Sequence, residues 1–288
     1  MVTWNGAAPP ALAPLRLPQK ARGAARLLGL GVVTLLLPGP YLLGRFLHKR
    51  VWRGVTFHRT WVRLWARLVL TLIGVRLRVS GAPLKRGGML VVNHASWADI
   101  PGILACAPVV FVSKAEVRDW PGVGWLATIA DTVFIERRRS ATGRHQNDLI
   151  APLRDGALLC LFPEGTSTDG RRVLPFKSSM LSAPLDTKVR DLIEVQPATL
   201  NWIAPEGAPP TFYGWWGDMG FGSHVWDVLC RSAGGALEVK FHPSRPVTDF
   251  ADRKDLARSC EAAVRAGLRA RAPRLADIDE NLPGQIGQ

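Results

Sequence analysis

The first carboxylate in the chain is Asp99. The 98 residues before it carry 15 Lys/Arg and no Asp or Glu, whereas residues 99–288 hold 22 basic against 23 acidic side chains. A segment with no internal counter-charge cannot neutralise itself through local ion pairs. Its cations must meet carboxylates from the rest of the chain or anions from outside. The net charge of +14 therefore belongs to the first third alone. In that third the basic residues alternate with Leu, Val and Trp in quantities that a phosphate-reading face does not need. Nucleic acid is accordingly not an expected partner, and an anionic membrane surface is.

Residues 1–24 are rich in Ala and Pro with no hydrophobic period, and read as a flexible leader. Leu27 to Gly44 gives 18 uncharged residues between Arg26 and Arg45, the lower limit for a spanning helix. Pro38-Gly39-Pro40 interrupts the run and leaves 11 unbroken residues from Leu27 to Leu37, too few to cross a bilayer. The Pro-Gly-Pro-Tyr that follows offers no small-x-small cleavage site, so the stretch is expected to stay on the protein. From Phe57 to Ile73, Arg59, Arg63 and Arg67 recur every fourth residue. Trp61, Leu64, Trp65, Leu68 and Leu72 form a second stripe. With Arg45, Lys49, Arg50 and Arg53 just ahead, this basic amphipathic helix reads as a monotopic anchor. Each cation near an anionic surface is worth about 1 kcal/mol.

The remainder reads as an α/β domain. Apolar side chains make up 47% of the chain, enough for a core, and 28 Gly with 22 Pro speak against a long coiled coil. Short apolar runs predict strands at Met89–Val92, Val109–Val112, Thr132–Ile135, Ala157–Phe162, Ile193–Leu200 and Leu237–Phe241. Helical patterns fall at Ile100–Ala107, Gly122–Ala130, Ala141–Leu153 and Asp252–Arg271. The alternation predicts a mostly parallel central sheet flanked by helices, with a helical membrane anchor before it. Active-site loops are then expected at the carboxyl ends of the strands. The expected division is a leader (1–24), a membrane-associated helical pair (25–78), an α/β domain (79–272) and a tail (273–288). Cys106, Cys160, Cys230 and Cys260 stand at least 30 residues apart and read as reduced thiols of a cytosolic domain.

Three loops carry candidate chemistry. Asn93 to Asp99, NHASWAD, directly follows a predicted strand. If the segment turns between strand and helix, His94 and Asp99 meet as a base and its orienting carboxylate. The plainer reading makes Asp99 a helix cap and leaves Asn93 and His94 to satisfy turn backbone. Phe162 to Gly170, FPEGTSTDG, also follows a strand; Pro163 stops the ladder and Gly165 permits a tight turn. Glu164, Thr166 and Ser167 would then project together towards a polar headgroup, although an ordinary glycine turn predicts similar residues. Phe134 to Arg139, FIERRR, runs a strand into arginines whose planar forks suit phosphate, with Arg144 and Lys177 as possible neighbours. Arg138 and Arg139 are better read as the solvated end of that strand. Asp218 and His224, inside the aromatic-rich Thr211–Leu229, form a second candidate acid–base pair. That crowd of aromatics is more simply core than an acyl tunnel or a bilayer-facing patch.

Taken in order, these blocks resemble the 1-acylglycerol-3-phosphate acyltransferase family of lysophospholipid acyltransferases, bacterial type. The likeness comprises NHASWAD, Phe134-Ile135-Glu136-Arg137, Phe162-Pro163-Glu164-Gly165-Thr166 and Val195-Gln196-Pro197-Ala198, with Lys114, Trp120-Pro121 and Phe176-Lys177 as lesser matches. It runs from about Met89 to Leu200, and the hydrophobic N-terminal pair is also like bacterial members. Ala198 and Ser179 depart from the usual Val and Gly of the pattern, which bears on substrate fit more than on activity.

The resemblance implies acyl transfer from acyl-CoA or acyl carrier protein to a lysolipid hydroxyl, with lysophosphatidate the first expectation and lyso-ornithine lipid the second. A non-catalytic anionic-lipid-binding protein is the reading from another class. The same resemblance makes His94 the general base and Asp99 its partner, and assigns Arg137 to the acceptor phosphate. Glu164, Gly165 and Thr166 would shape the acceptor site, Lys177 would bind substrate, and Pro197 would lie towards the acyl end. No metal or cofactor is expected, since the chain holds neither a clustered ligand set nor a G-x-S-x-G elbow. The expected location is the cytoplasmic membrane, with the catalytic domain facing the cytosol.

Overall fold

The computed structural model describes residues 4–50, 57–85, 87–120, 122–135 and 142–271. Three helices come first: α1 (Leu17–Leu36), α2 (Pro38–Arg50) and α3 (Phe57–Leu72). The strands are β1 (Val75–Ser80), β2 (Gly88–Val92), β3 (Val110–Lys114), β4 (Val133–Ile135), β5 (Leu158–Leu161), β6 (Glu194–Ile203), β7 (Gly235–Phe241) and β8 (Arg245–Pro246). Between and after them lie α4 (Asp99–Leu104), α5 (Val123–Ile129), α6 (Thr142–Arg154), α7 (Phe221–Arg231) and α8 (Arg253–Arg271).

The strands form one sheet in the order β1-β7-β6-β2-β5-β3-β4, with β8 on β6. All neighbours run parallel except β6 with β7 and with β8. Period-two alternation divides β2 between two cores. Leu90 and Val92 face a core shared with α3 and α4, while Met89 and Val91 face one shared with α6 and α8. Both faces of the central strands are thus covered, which is why they read as continuous apolar runs. The four cysteines are free thiols.

The N-terminal third departs from its expected organisation. Helix α1 begins at Leu17, inside the stretch read as leader, and residues before it lie along the catalytic domain: the Trp4 N–H reaches Thr166 Oγ1 at 3.3 Å and the Ala7 carbonyl accepts from Trp216 Nε1 at 2.8 Å. Pro38 does not end the helical path. It occupies the first position of α2, where a missing N–H costs nothing, and the Tyr41 N–H still bonds the Leu37 carbonyl. Leu17–Gly44 consequently forms 28 residues long and apolar enough to cross a membrane, where 11 had been expected.

Helix α3, expected to lie on a membrane surface, buries one of its faces in the domain. Ala66, Val69, Leu70 and Ile73 are buried, and Trp65 donates Nε1–H to Thr34 Oγ1 on α1 at 3.2 Å. Arg63 reaches the Cys106 carbonyl at 3.3 Å. The expected stripe of arginines and tryptophans follows the 3.6 period, but part of each stripe is used for docking on the domain.

Candidate active site

Strands β2 and β5 are parallel neighbours in register, Val91 opposite Leu161, so the chain leaves both at the same edge of the sheet. The segments after them, Asn93–Ala98 and Phe162 onwards, are therefore side by side, and the Thr168 N–H donates to the His94 carbonyl at 3.0 Å. On the other flank β6 is longer than β2. Val92 pairs with Ala198, and β6 continues to Ile203. The overhang is used at once: Asn93 takes the place of a strand residue, donating Nδ2–H to the Leu200 carbonyl at 2.9 Å and accepting the Leu200 N–H at 2.8 Å.

The turn after Asn93 brings His94 and Asp99 together. His94 Nδ1 lies 2.8 Å from Asp99 Oδ2, which also accepts the Ala95 N–H at 2.7 Å and the Ser96 N–H at 2.9 Å. Asp99 Oδ1 accepts Trp202 Nε1–H at 2.7 Å. Asp99 is wholly buried, and a buried carboxylate persists only when its lone pairs are matched, as they are here. Because Asp99 acts as acceptor throughout, the hydrogen-bond network assigns the imidazole proton to Nδ1 and leaves Nε2 with a free lone pair. The His94 side chain is 20% exposed and stacks on Phe162, ring centroids 4.2 Å apart. The arrangement can take a proton from a hydroxyl at its open edge while Asp99 steadies the resulting imidazolium.

Glu164 shapes this loop from within. It is buried, its Oε1 accepts the His94 N–H at 2.7 Å and its Oε2 accepts the Leu174 N–H at 2.7 Å. Burial pushes its carboxyl up to about 8, against the pull of those two backbone bonds. Gly165 has φ +69°, a left-handed turn that a side chain would strain. Thr166 Oγ1 carries the Trp4 contact and donates to the Ser167 carbonyl at 3.3 Å.

Lys177 is exposed, and its N–H donates to the Pro163 carbonyl at 2.9 Å, which ties it to the same loop. Pro197 is buried in β6 opposite Val91, within the sheet beneath the His94 turn. Arg137, with Glu136, Arg138 and Arg139, lies outside the described residues. Asp218 and His224 do not pair: His224 Nδ1 accepts Trp97 Nε1–H at 3.0 Å, and Asp218 is exposed.

Trp202 and Phe162 are the contributors that motif reading missed in these roles. Trp202 is 103 residues from Asp99, and only the β2–β6 register reveals that it hangs over the turn. Phe162 was read as part of a strand-to-loop motif; its stacking on His94 follows from the adjacency of β2 and β5.

The described residues place a His–Asp pair at the carboxyl edge of a largely parallel sheet, an arrangement able to take a proton from a hydroxyl. The acyltransferase family model matches residues 76–201, which contain every block described above. A lyso-ornithine lipid O-acyltransferase from Rhodobacter capsulatus is 42% identical over 276 residues, covering 93% of this chain and 98% of that protein. One from Pseudomonas aeruginosa is 36% identical, over 72% of this chain and 77% of its own. A 1-acyl-sn-glycerol-3-phosphate acyltransferase from Neisseria meningitidis is 28% identical over 69% of this chain and 77% of that protein. The crystal structure of the 1-acyl-sn-glycerophosphate acyltransferase from Thermotoga maritima shares the fold, with a TM-score of 0.59, 24% identity, and coverage of 87% and 97%. The chain belongs to this bacterial acyltransferase family and is an acyltransferase.

Proposed function

We propose that the enzyme transfers a fatty acyl group from a thioester, acyl-CoA or acyl carrier protein, to the free hydroxyl of lyso-ornithine lipid. The observation that carries the acceptor choice is the 42% identity to the Rhodobacter protein along almost all of both chains. It reverses the order of preference that the motifs alone suggested, in which lysophosphatidate came first. His94 Nε2 takes the hydroxyl proton, the oxygen attacks the thioester carbonyl, and collapse of the tetrahedral intermediate breaks the C–S bond. The imidazolium then returns the proton to the leaving thiolate. Asp99 holds Nδ1–H throughout, and no covalent acyl-enzyme forms.

The exposed leucines of α1 and α2, among them Leu28 at 72% and Leu35 at 76%, support a lipid contact, and in this reading the site works at the headgroup plane of the cytoplasmic membrane, on its cytosolic side. Lyso-ornithine lipid carries no phosphate and would not need Arg137, whose role is confined to lysophosphatidate as the alternative acceptor. Arg137→Ala should raise KM for lysophosphatidate, and an unchanged KM would remove that role.

The test is transfer by the detergent-solubilised wild type and His94→Ala, with labelled acyl-CoA and acyl carrier protein each offered lyso-ornithine lipid and lysophosphatidate. Transfer to lyso-ornithine lipid, reduced about 10²–10⁴-fold by the substitution, is the expected result. Transfer to lysophosphatidate alone would overturn the acceptor. No transfer by folded protein with any pair would overturn the reaction.

A further inference from the structure

A half-open cavity of about 870 Å³ lies beside the His94–Asp99 turn. It lies between the N-terminal arm, residues 4–16, and the segment that leads into α7. Asn5, Ala7 and Pro10 line it from the arm, Lys20 from α1, Trp216 and Asp218 from the segment before α7, and His224 and Arg231 from α7 itself.

Three contacts join it to the catalytic loops. The Trp215 N–H donates to the Ala95 carbonyl at 2.8 Å, Trp97 Nε1–H to His224 Nδ1 at 3.0 Å, and the Trp4 N–H to Thr166 Oγ1 at 3.3 Å. Ala95 and Trp97 belong to the turn that holds His94, and Thr166 to the loop expected to shape the acceptor site. The arm is fastened at its other end too, where Arg231 donates to the Ala13 carbonyl at 2.6 Å.

The charges around the cavity are balanced, two carboxylates against two cations. Asp227 is already paired with Arg231 at 2.9 Å. Lys20 and Asp218 have no ion-pair partner among the described residues, and they come from different elements, α1 and the turn before α7. A dianionic phosphate monoester meets one unpaired cation and one unpaired carboxylate and leaves the cavity with net negative charge, which opposes its entry. A headgroup carrying one ammonium and one carboxylate matches both unpaired charges and leaves the cavity neutral.

We propose that this cavity is the headgroup pocket of the acceptor, and that it selects a zwitterionic amino-acid headgroup whose ammonium meets Asp218 and whose carboxylate meets Lys20. The inference rests on the lysolipid acyl-transfer reading and deepens it. It makes the N-terminal arm one wall of the acceptor site.

The experiment compares wild type, Lys20→Met and Asp218→Asn in detergent micelles, with KM and kcat determined for lyso-ornithine lipid and for lysophosphatidate. Each substitution should raise KM for lyso-ornithine lipid about 5–10-fold with kcat within about twofold, the loss of one charge-assisted contact. KM for lysophosphatidate should stay constant or, for Asp218→Asn, fall. Melting temperatures should match wild type, since both side chains are exposed. An unchanged KM for lyso-ornithine lipid overturns the pocket while leaving acyl transfer intact, and so does an equal rise for both acceptors. A wild type that transfers to lysophosphatidate alone overturns the zwitterion assignment, and one that transfers to no lysolipid overturns the parent reading along with it.

Discussion

A carboxylate with no exposed surface, such as Asp99, is tolerable only while every oxygen has a donor. Oδ2 has three, but Oδ1 depends on the Trp202 indole. Trp202→Phe keeps the bulk and removes that donor. The expected outcome is a fall in kcat of about 10–100-fold, with acceptor KM little changed, measured by steady-state transfer. Glu164 is governed by a different balance. Its folded value of about 8 lies above the ordinary 4.5, so the folded state holds a proton that the unfolded state has released over that window. Stability from this group is full below the lower value, declines as pH rises through the window and is gone above about 8. Denaturant titrations between pH 5 and 8 should therefore show a downward slope that Glu164→Gln flattens. The His–Asp pairing was legible because the two stand five positions apart just past a predicted strand end, where a turn lets them meet. The oxygens of Glu164 were read as facing a headgroup, and no local signal showed that backbone N–H groups on both sides would claim them.

Among the elements, α1 is docked on α7 by a close approach and a cap. A Cβ on Gly23 would collide with Cys230 Sγ, so the helices touch only because that position has no side chain. One turn further, Arg26 Nη1 donates to the Leu229 and Ser232 carbonyls at 2.9 and 2.7 Å, satisfying the carboxyl end of α7. Gly23→Leu should cost about 1–3 kcal/mol by overpacking and Arg26→Ala about 1–2 kcal/mol, read from urea midpoints in detergent. The central strands β2, β5 and β6 were legible because burial on both faces makes them uninterrupted apolar runs. Strand β1 was not, since VRLRVS alternates charge on an edge whose one partner is β7. Helix α7 was hidden inside an aromatic-rich stretch whose indoles suggested only a cluster. The leader was misread because Ala and Pro carry no periodicity, while its contacts are made by backbone groups and the Trp4 ring, which lies 6.1 Å from Trp216.

At the scale of the molecule, the helices expected to form a separable anchor share the catalytic core. Ala66, Leu70 and Ile73 of the α3 segment belong to the same buried cluster as Leu90 and Val92 of β2. Deleting residues 1–75 should therefore abolish the cooperative thermal transition as well as any membrane affinity. Substitution separates the two properties: Leu28→Glu with Leu35→Glu should weaken flotation with anionic vesicles while leaving the melting temperature within a few degrees, because both side chains are exposed. Retained flotation would place the lipid contact elsewhere. The arm also sets an order of events during synthesis. Trp4 docks against a threonine made 162 residues later, and Ala7 against a tryptophan 209 residues later. The apolar helices leave the ribosome long before the sheet exists, whereas Trp4 and Ala7 must wait for nearly the whole domain. Trp4 and Ala7 are thus made before the loops they pack on and placed after them, so any bulk added beside Trp4 would lie against the loop that carries Thr166.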